Sequence, residues 1–184
     1  MIRRMHTAML TPLLALFLLM LGMSAQAASR VEIDAKVRGA VDLFYKKVPG
    51  GKELAQRAAG MLVFPEVLKG GMFIGAEYGE GALLVNNRTK GYYSLASASF
   101  GFQFGVEEKT IVLLFMTRES LDKFLNSEGW QVGVDGSVAI AEFGAGKSLD
   151  SNTLQEPIIG FVVANKGLMA GISLEGSKIT RINK

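Results

Sequence analysis

Residues 141–148 read AEFGAGKS, and the closing Gly146-Lys147-Ser148 is the ending with which a nucleotide-binding loop grips phosphate. That chemistry needs backbone N–H groups and a lysine around the phosphates, with a helix N-terminus facing them. A strand-like run precedes the loop. The segment after it, LDSNTLQEP, is short and polar and ends at Pro157, and alanine stands at position 141 where the motif requires glycine. The octapeptide therefore reads as a turn, and no nucleotide is expected to bind there.

Acid–base chemistry is the next possibility. Glu77 and Glu80 flank Gly79, and two carboxylates can hydrolyse a glycosidic bond without histidine. In a strand-turn segment, glutamates beside glycine are more simply solvated, and nothing else in the chain suggests a sugar site. Other catalytic sets are missing. The chain has no cysteine and one histidine, His6, at its extreme N-terminus. Ser-His-Asp and Cys-His triads, cysteine nucleophiles and the usual zinc and haem ligand sets are thereby excluded from the rest of the chain. No catalytic residue, metal or cofactor is expected, and the protein reads as a non-enzyme.

The N-terminus itself reads as a targeting segment. MIRRMHTAMLTPLLALFLLMLGMSAQAAS has Arg3 and Arg4, an apolar run over residues 13–23, and Ala25-Gln26-Ala27 in the A-x-A pattern of signal peptidase. The apolar run is about half the ~20 residues of a membrane-spanning helix. Residues 1–27 are thus expected to be a cleaved signal peptide that delivers residues 28–184 to the periplasm. Without cysteine there is no lipidated form. Removing Arg3 and Arg4 turns 20 basic against 17 acidic residues into 18 against 17, so the high pI is no argument for nucleic acid. Distribution is more telling than the sum. Residues 30–57 hold seven basic and four acidic side chains, and residues 58–184 hold eleven and thirteen.

The elements that would carry that charge follow from periodicity. Over residues 30–48, Ile33, Val37, Ala40, Val41, Phe44, Tyr45 and Val48 fall on one stripe of a helix. Lys36 and Lys47 sit on one shoulder of the stripe and Arg38 on the other. Pro49-Gly50-Gly51 interrupts the pattern, and residues 52–59 resume as a short helix that Gly60 should cap. From Met61 the period changes. MLVF, MFIGAEY, ALLV, GYYSLA, FGFQFGVEE and TIVLLFMT are strand-like runs separated by Gly, Asn and Pro. A helix over 118–128 ends at Gly129, and WQVGV, SVAIAEF, PIIGFVVA, LMAGISLEG and KITRI are strand-like again. The lone Trp130 reads as a core or strand-start residue. The expected architecture is α+β: a strongly curved, barrel-like antiparallel sheet with N-terminal amphipathic helices and one further helix. In FPEVLKGGMFIGAEYGEGALL, Gly75, Gly79 and Gly81 read as the glycines of a sharply bent hairpin.

That glycine-rich stretch carries a resemblance. Residues 58–84, AAGMLVFPEVLKGGMFIGAEYGEGALL, closely resemble the SYLF domain, as do SFGFQFGVEEKTIVLLFM at 99–116 and NKGLMAGISLEG at 165–176. EGWQVGVDGSVAIAEFGAG at 128–146 is similar to the exported bacterial branch in particular. GYYSLASASFG at 91–101 lacks the tryptophan and proline often found there in eukaryotic members, and actin binding is not carried over. The resemblance implies a domain that binds anionic phospholipid membranes through a basic amphipathic N-terminal segment. The residues matching that role are Lys36, Arg38, Lys46 and Lys47, with Val41 and Phe44 as apolar partners and Lys52 and Arg57 extending the patch. If the stripe instead packs on the domain's own sheet, Phe44 and Val41 become core, and only the basic shoulders face head groups. Two other roles compete: a carrier holding a lipid or apolar ligand inside the curved sheet, and an envelope scaffold binding another protein.

Overall fold

The runs TIVLLFMT and PIIGFVVA lack the polar alternation of a half-solvated sheet, which requires that both sheet faces be covered there. The computed structural model bears this out over the residues it describes: 28–70, 74–100, 107–141, 152–164, 167–168 and 172–184. Residues 1–27, expected to be a signal peptide, and most of the AEFGAGKS segment lie outside these residues. Two helices, α1 (Arg30–Lys47) and α2 (Gly51–Arg57), precede the strands β1 (Gly60–Gly70), β2 (Ile74–Val85), β3 (Arg88–Phe100) and β4 (Glu107–Phe115). Then come α3 (Arg118–Leu125), β5 (Trp130–Gln131), β6 (Ala139–Ile140), a 3-10 turn, β7 (Ile158–Ala164), β8 (Gly167–Leu168) and β9 (Lys178–Ile182). The strands form one sheet in the order β5-β9-β3-β2-β1-β4-β7-β6, with β8 on β7.

Chain connectivity forces the sheet to curl. Its two ends, β5 and β6, are joined by residues 132–138 alone. Fully extended, that link spans at most about 28 Å, whereas eight strands laid flat would separate the ends by about 34 Å. Part of the link is also taken up by a turn, closed by Gly133 N–H donating to the Gly136 carbonyl at 2.9 Å. The expected antiparallel, barrel-like sheet is therefore present as a curled sheet with one exception: β6 runs parallel to β7.

Successive residues point to opposite faces, and each face has its own core. Inside the curl, Leu62, Phe64, Leu83, Leu95, Ile111 and Leu113 pack with Leu121 and Phe124 of α3 and with Trp130. The Phe124 ring lies 4.9 Å from Phe115, 5.0 Å from Tyr93 and 5.8 Å from Trp130. On the outside, Met61, Val63, Ala82, Val112, Leu114 and Phe161 pack against α1.

Several expected boundaries move, for identifiable reasons. Pro65 does not separate two strands. The register of β1 slips by one residue around it against both neighbours, and the bulge lets an interior strand accept a proline. Thr110 Oγ1 donates to the Pro65 carbonyl at 2.8 Å. Opposite the bulge the β2 backbone comes so close that a Cβ on Gly81 would overlap the Val63 carbonyl oxygen, and one on Gly79 would lie 2.7 Å from the Glu66 oxygen. From Ile74 onward, the runs IGAEY and ALLV thus merge into one strand, Ile74–Val85. Gly60 caps no helix but opens β1, where a side chain would meet Leu121 Cδ1 at 3.0 Å. The helix expected over 118–128 ends at Leu125, where the Ser127 N–H and hydroxyl both turn back to the Phe124 carbonyl.

Candidate functional site

The helical layer outside the sheet carries all eight residues expected to meet a membrane. Ser29 starts α1 by accepting the Glu32 N–H on its hydroxyl at 3.2 Å, as a good N-cap does. Ile33, Val37, Ala40 and Phe44 then recur every three or four residues and are buried on the sheet. Phe44 is 0 % exposed and meets the Phe161 ring edge-on at 4.9 Å. α2 folds back onto α1 through Gly50, whose φ of 74° suits glycine. Gly51 leaves room there, since a Cβ would come within 3.0 Å of the Phe44 ring.

This packing sorts the expected site residues into three groups. Phe44 is core and does not reach the surface, and half-buried Val41 packs on the same cluster. Burial of the apolar stripe on the domain's own sheet is therefore the alternative that holds. Lys36 is a strut: its ammonium lies 2.8 Å from Glu66 of β1 and 3.1 Å from Glu32 one turn earlier. The Glu66 hydrogen bond, then that of Glu32, raises its pKa above the ordinary lysine value. Its charge is spent within the fold. Arg38, Lys46, Lys52 and Arg57 are exposed, and Lys47 is half-buried. At 100° per residue, Lys46 points away from the sheet and Arg38 to one side, with Asp42 between them. The structure brings these cations into one layer but not into one cluster.

The acidic residues are likewise committed. Glu77, on the inner face, accepts from Lys109 at 3.0 and 3.1 Å and has Lys69 3.6 Å away. Glu77 and Lys109 are both buried, and the Lys69 charge is turned onto this carboxylate. Glu80 points to the outer face, where Lys184 lies 2.7 Å away and the Tyr78 hydroxyl donates at 3.0 Å. Two carboxylates on opposite faces of a strand cannot act on one glycosidic bond, so the sugar-site reading falls. A further set of cations was not anticipated: Arg30, Lys90 and Arg181, from α1, β3 and the last strand, line one groove. Positions so far apart in sequence give no local signal, and only the antiparallel pairing of β3 with β9 assembles them.

A curled sheet covered by a helical layer holds Glu77 and Glu80 in ion pairs on opposite faces and leaves a set of exposed cations on the helices. Residues 96–184 match the family model described as Ysc84, Las17-binding protein actin regulator. The chain is also similar to the SH3 domain-containing YSC84-like protein 1 of Bos taurus, with 29 % identity over 129 residues. That alignment covers 66 % of this chain and 37 % of the bovine protein's length. Both matches support the SYLF domain family for this chain.

Proposed function

We propose that this protein is an exported, non-enzymatic domain that attaches to the anionic surface of a phospholipid membrane through its basic N-terminal helical layer. The observation that carries this reading is the set Arg38, Lys46, Lys52 and Arg57: all exposed, on helices outside the sheet, and without a carboxylate partner among the described residues. Because the apolar stripe of α1 is used up on the sheet, contact is electrostatic and peripheral rather than an insertion. Each Lys or Arg near such a surface contributes about 1 kcal/mol. Among the described residues, no helix is long and apolar enough to cross a membrane. Phosphatidylglycerol or cardiolipin would supply the negative charge in a bacterial envelope, and the signal-like residues 1–27 would deliver the chain there.

The carrier reading loses ground because the described inner face is filled by its own side chains, with Leu62, Phe64, Leu95 and Ile111 at 0 % exposure. A protein partner has one observation in its favour. Leu68 and Tyr78, paired across β1 and β2, are 49 % and 53 % exposed beside a mostly apolar groove of about 350 Å³.

Vesicle co-sedimentation separates these readings. Membrane attachment predicts binding to phosphatidylglycerol-containing vesicles, none to phosphatidylcholine alone, and loss as salt screens the charges. Changing Lys46, Lys52 and Arg57 together to Glu should abolish it. Binding indifferent to vesicle charge and salt would overturn the proposal, and no vesicle binding at all would turn attention to Leu68 and Tyr78.

A further inference from the structure

Trp130 is the only tryptophan of the chain and stands at the start of β5 with 2 % of its surface exposed. Core contacts hold its ring, with Phe124 edge-on at 5.8 Å. An indole N–H can only donate, and a buried one ordinarily finds an acceptor. Here it has none among the described residues. No fully enclosed side-chain nitrogen or oxygen is left unpartnered among those residues, so this N–H opens onto space rather than into the core. The space is a pocket of about 420 Å³ between α3, β5 and the start of β7, within the size range of small-molecule sites.

Hydrogen bonds fix the walls of this pocket. Ser120 Oγ reaches the Thr117 and Pro157 carbonyls at 2.9 and 3.1 Å, and the Met116 N–H donates to the same Pro157 oxygen at 2.8 Å. The start of α3 is thereby tied to the chain entering β7. On the other side, Asp135 accepts the Gln131 N–H at 2.7 Å and returns its own N–H to the Gln131 carbonyl at 2.9 Å. Gly136 lets the link between β5 and β6 lie against the indole: a Cβ there would sit 2.8 Å from Trp130 Cζ2 and 3.6 Å from Nε1.

Trp130 and Ile158 give the pocket buried apolar surface, whereas Glu119, Lys123, Asp135 and Glu156 line it as exposed side chains. None of the three carboxylates is in a salt bridge among the described residues. Three carboxylates against one ammonium leave the rim acidic at neutral pH. An acidic rim alone is a solvated face. This one is joined by a buried donor without an acceptor, and the two call for different atoms of one ligand: a cation for the carboxylates and a carbonyl oxygen for the indole N–H. A basic amino-acid unit has both, with an aliphatic stem to lie along Ile158 and the ring.

We propose that this pocket binds a lysine or arginine unit, free or displayed on a polypeptide, its carbonyl accepting from Trp130 and its cation held by Glu119 and Glu156. The site is independent of the membrane reading, since it uses the opposite charge and lies on α3 rather than on α1 and α2.

Because Trp130 is the only tryptophan, its fluorescence reports on this pocket directly. The exported, processed protein is titrated with Nα-acetyl-lysine amide and with Nα-acetyl-norleucine amide, which keeps the stem and carbonyl but lacks the ammonium. A saturable change in emission is expected for the first and none for the second. Each exposed ion pair is worth about two- to five-fold in affinity. Glu119→Gln with Glu156→Gln should therefore weaken binding about ten-fold while the circular dichroism spectrum stays the same. Trp130→Phe removes only the donor from the ring, and calorimetry should show a several-fold loss for it. If that core variant does not fold, the glutamine pair still decides. Binding unchanged in the glutamine pair, equal responses to the lysine and norleucine amides, or no response to either at millimolar concentration would each overturn the proposal. A capped Gly-Gly-Lys-Gly-Gly peptide that binds about ten-fold tighter than the amide would assign the unit to a polypeptide, and equal binding would assign it to the single residue.

Discussion

Gly81 shows how a single atom can be excluded by the fold. Any side chain there would overlap the Val63 carbonyl across the β1 bulge. Gly81→Ala should therefore cost about 3 kcal/mol, read as a lowered urea midpoint with unchanged slope. Gly39, with open space where its Cβ would be, is the control: Gly39→Ala in mid-α1 should stabilise by about 0.5–1 kcal/mol. Glu77 is constrained electrostatically rather than sterically. Glu77→Gln leaves Lys109, 4 % exposed, without its carboxylate, and should destabilise by about 3 kcal/mol. Replacing Lys109 with Met in the same chain should recover part of that loss, because an uncharged pair no longer strands an ion.

Among the elements, α1 joins two tasks on opposite faces, and its variants should separate accordingly. Phe44→Ala removes a ring wedged between helix and sheet and should cost about 3–5 kcal/mol in unfolding experiments. Lys46→Glu, on the solvent side, should leave the unfolding curve in place and weaken only vesicle binding. Lys36 belongs with the structural face despite its charge, because Glu66 and Glu32 hold it. This division is half legible in sequence. The apolar period of α1 is enough to mark Ile33, Val37, Ala40 and Phe44 as a buried stripe. Periodicity could not show that Glu66, thirty residues away, would draw Lys36 into the fold.

For the whole molecule, pH offers a global readout. The phenols of Tyr45, Tyr78, Tyr92 and Tyr93 are all pushed above the ordinary value, chiefly by burial, and Lys36 is raised by its carboxylate partners. A folded-state pKa above the unfolded one means that folding holds the proton more tightly. Its contribution is complete below about pH 10 and is lost as pH rises through the folded value. The urea midpoint should be flat from about pH 7 to 9 and fall above about 10. Tyr93→Phe should make that fall shallower while changing stability near neutrality little. A fall of equal steepness in the variant would show that Tyr93 ionisation is not part of it.

Elements whose signal is local are written in the order of the residues. Continuous apolar runs such as TIVLLFMT declare strands buried on both faces, the period of α1 declares a helix packed on one side, and the glycine density of residues 69–81 declares a bent strand rather than a linker. Composition also removes whole classes of chemistry, because without cysteine and with a single histidine at position 6 the usual nucleophile and metal sets have no residues to build from. Features that depend on register and closure needed the folded chain. The bulge at Pro65 chose Gly79 and Gly81 as the tight positions, the short link between β5 and β6 curled the sheet, and the β3–β9 pairing set Arg181 opposite Tyr93. Charge is carried by residues, but a charged site is made by distances between them. Those distances are fixed only when strands far apart in the chain pair.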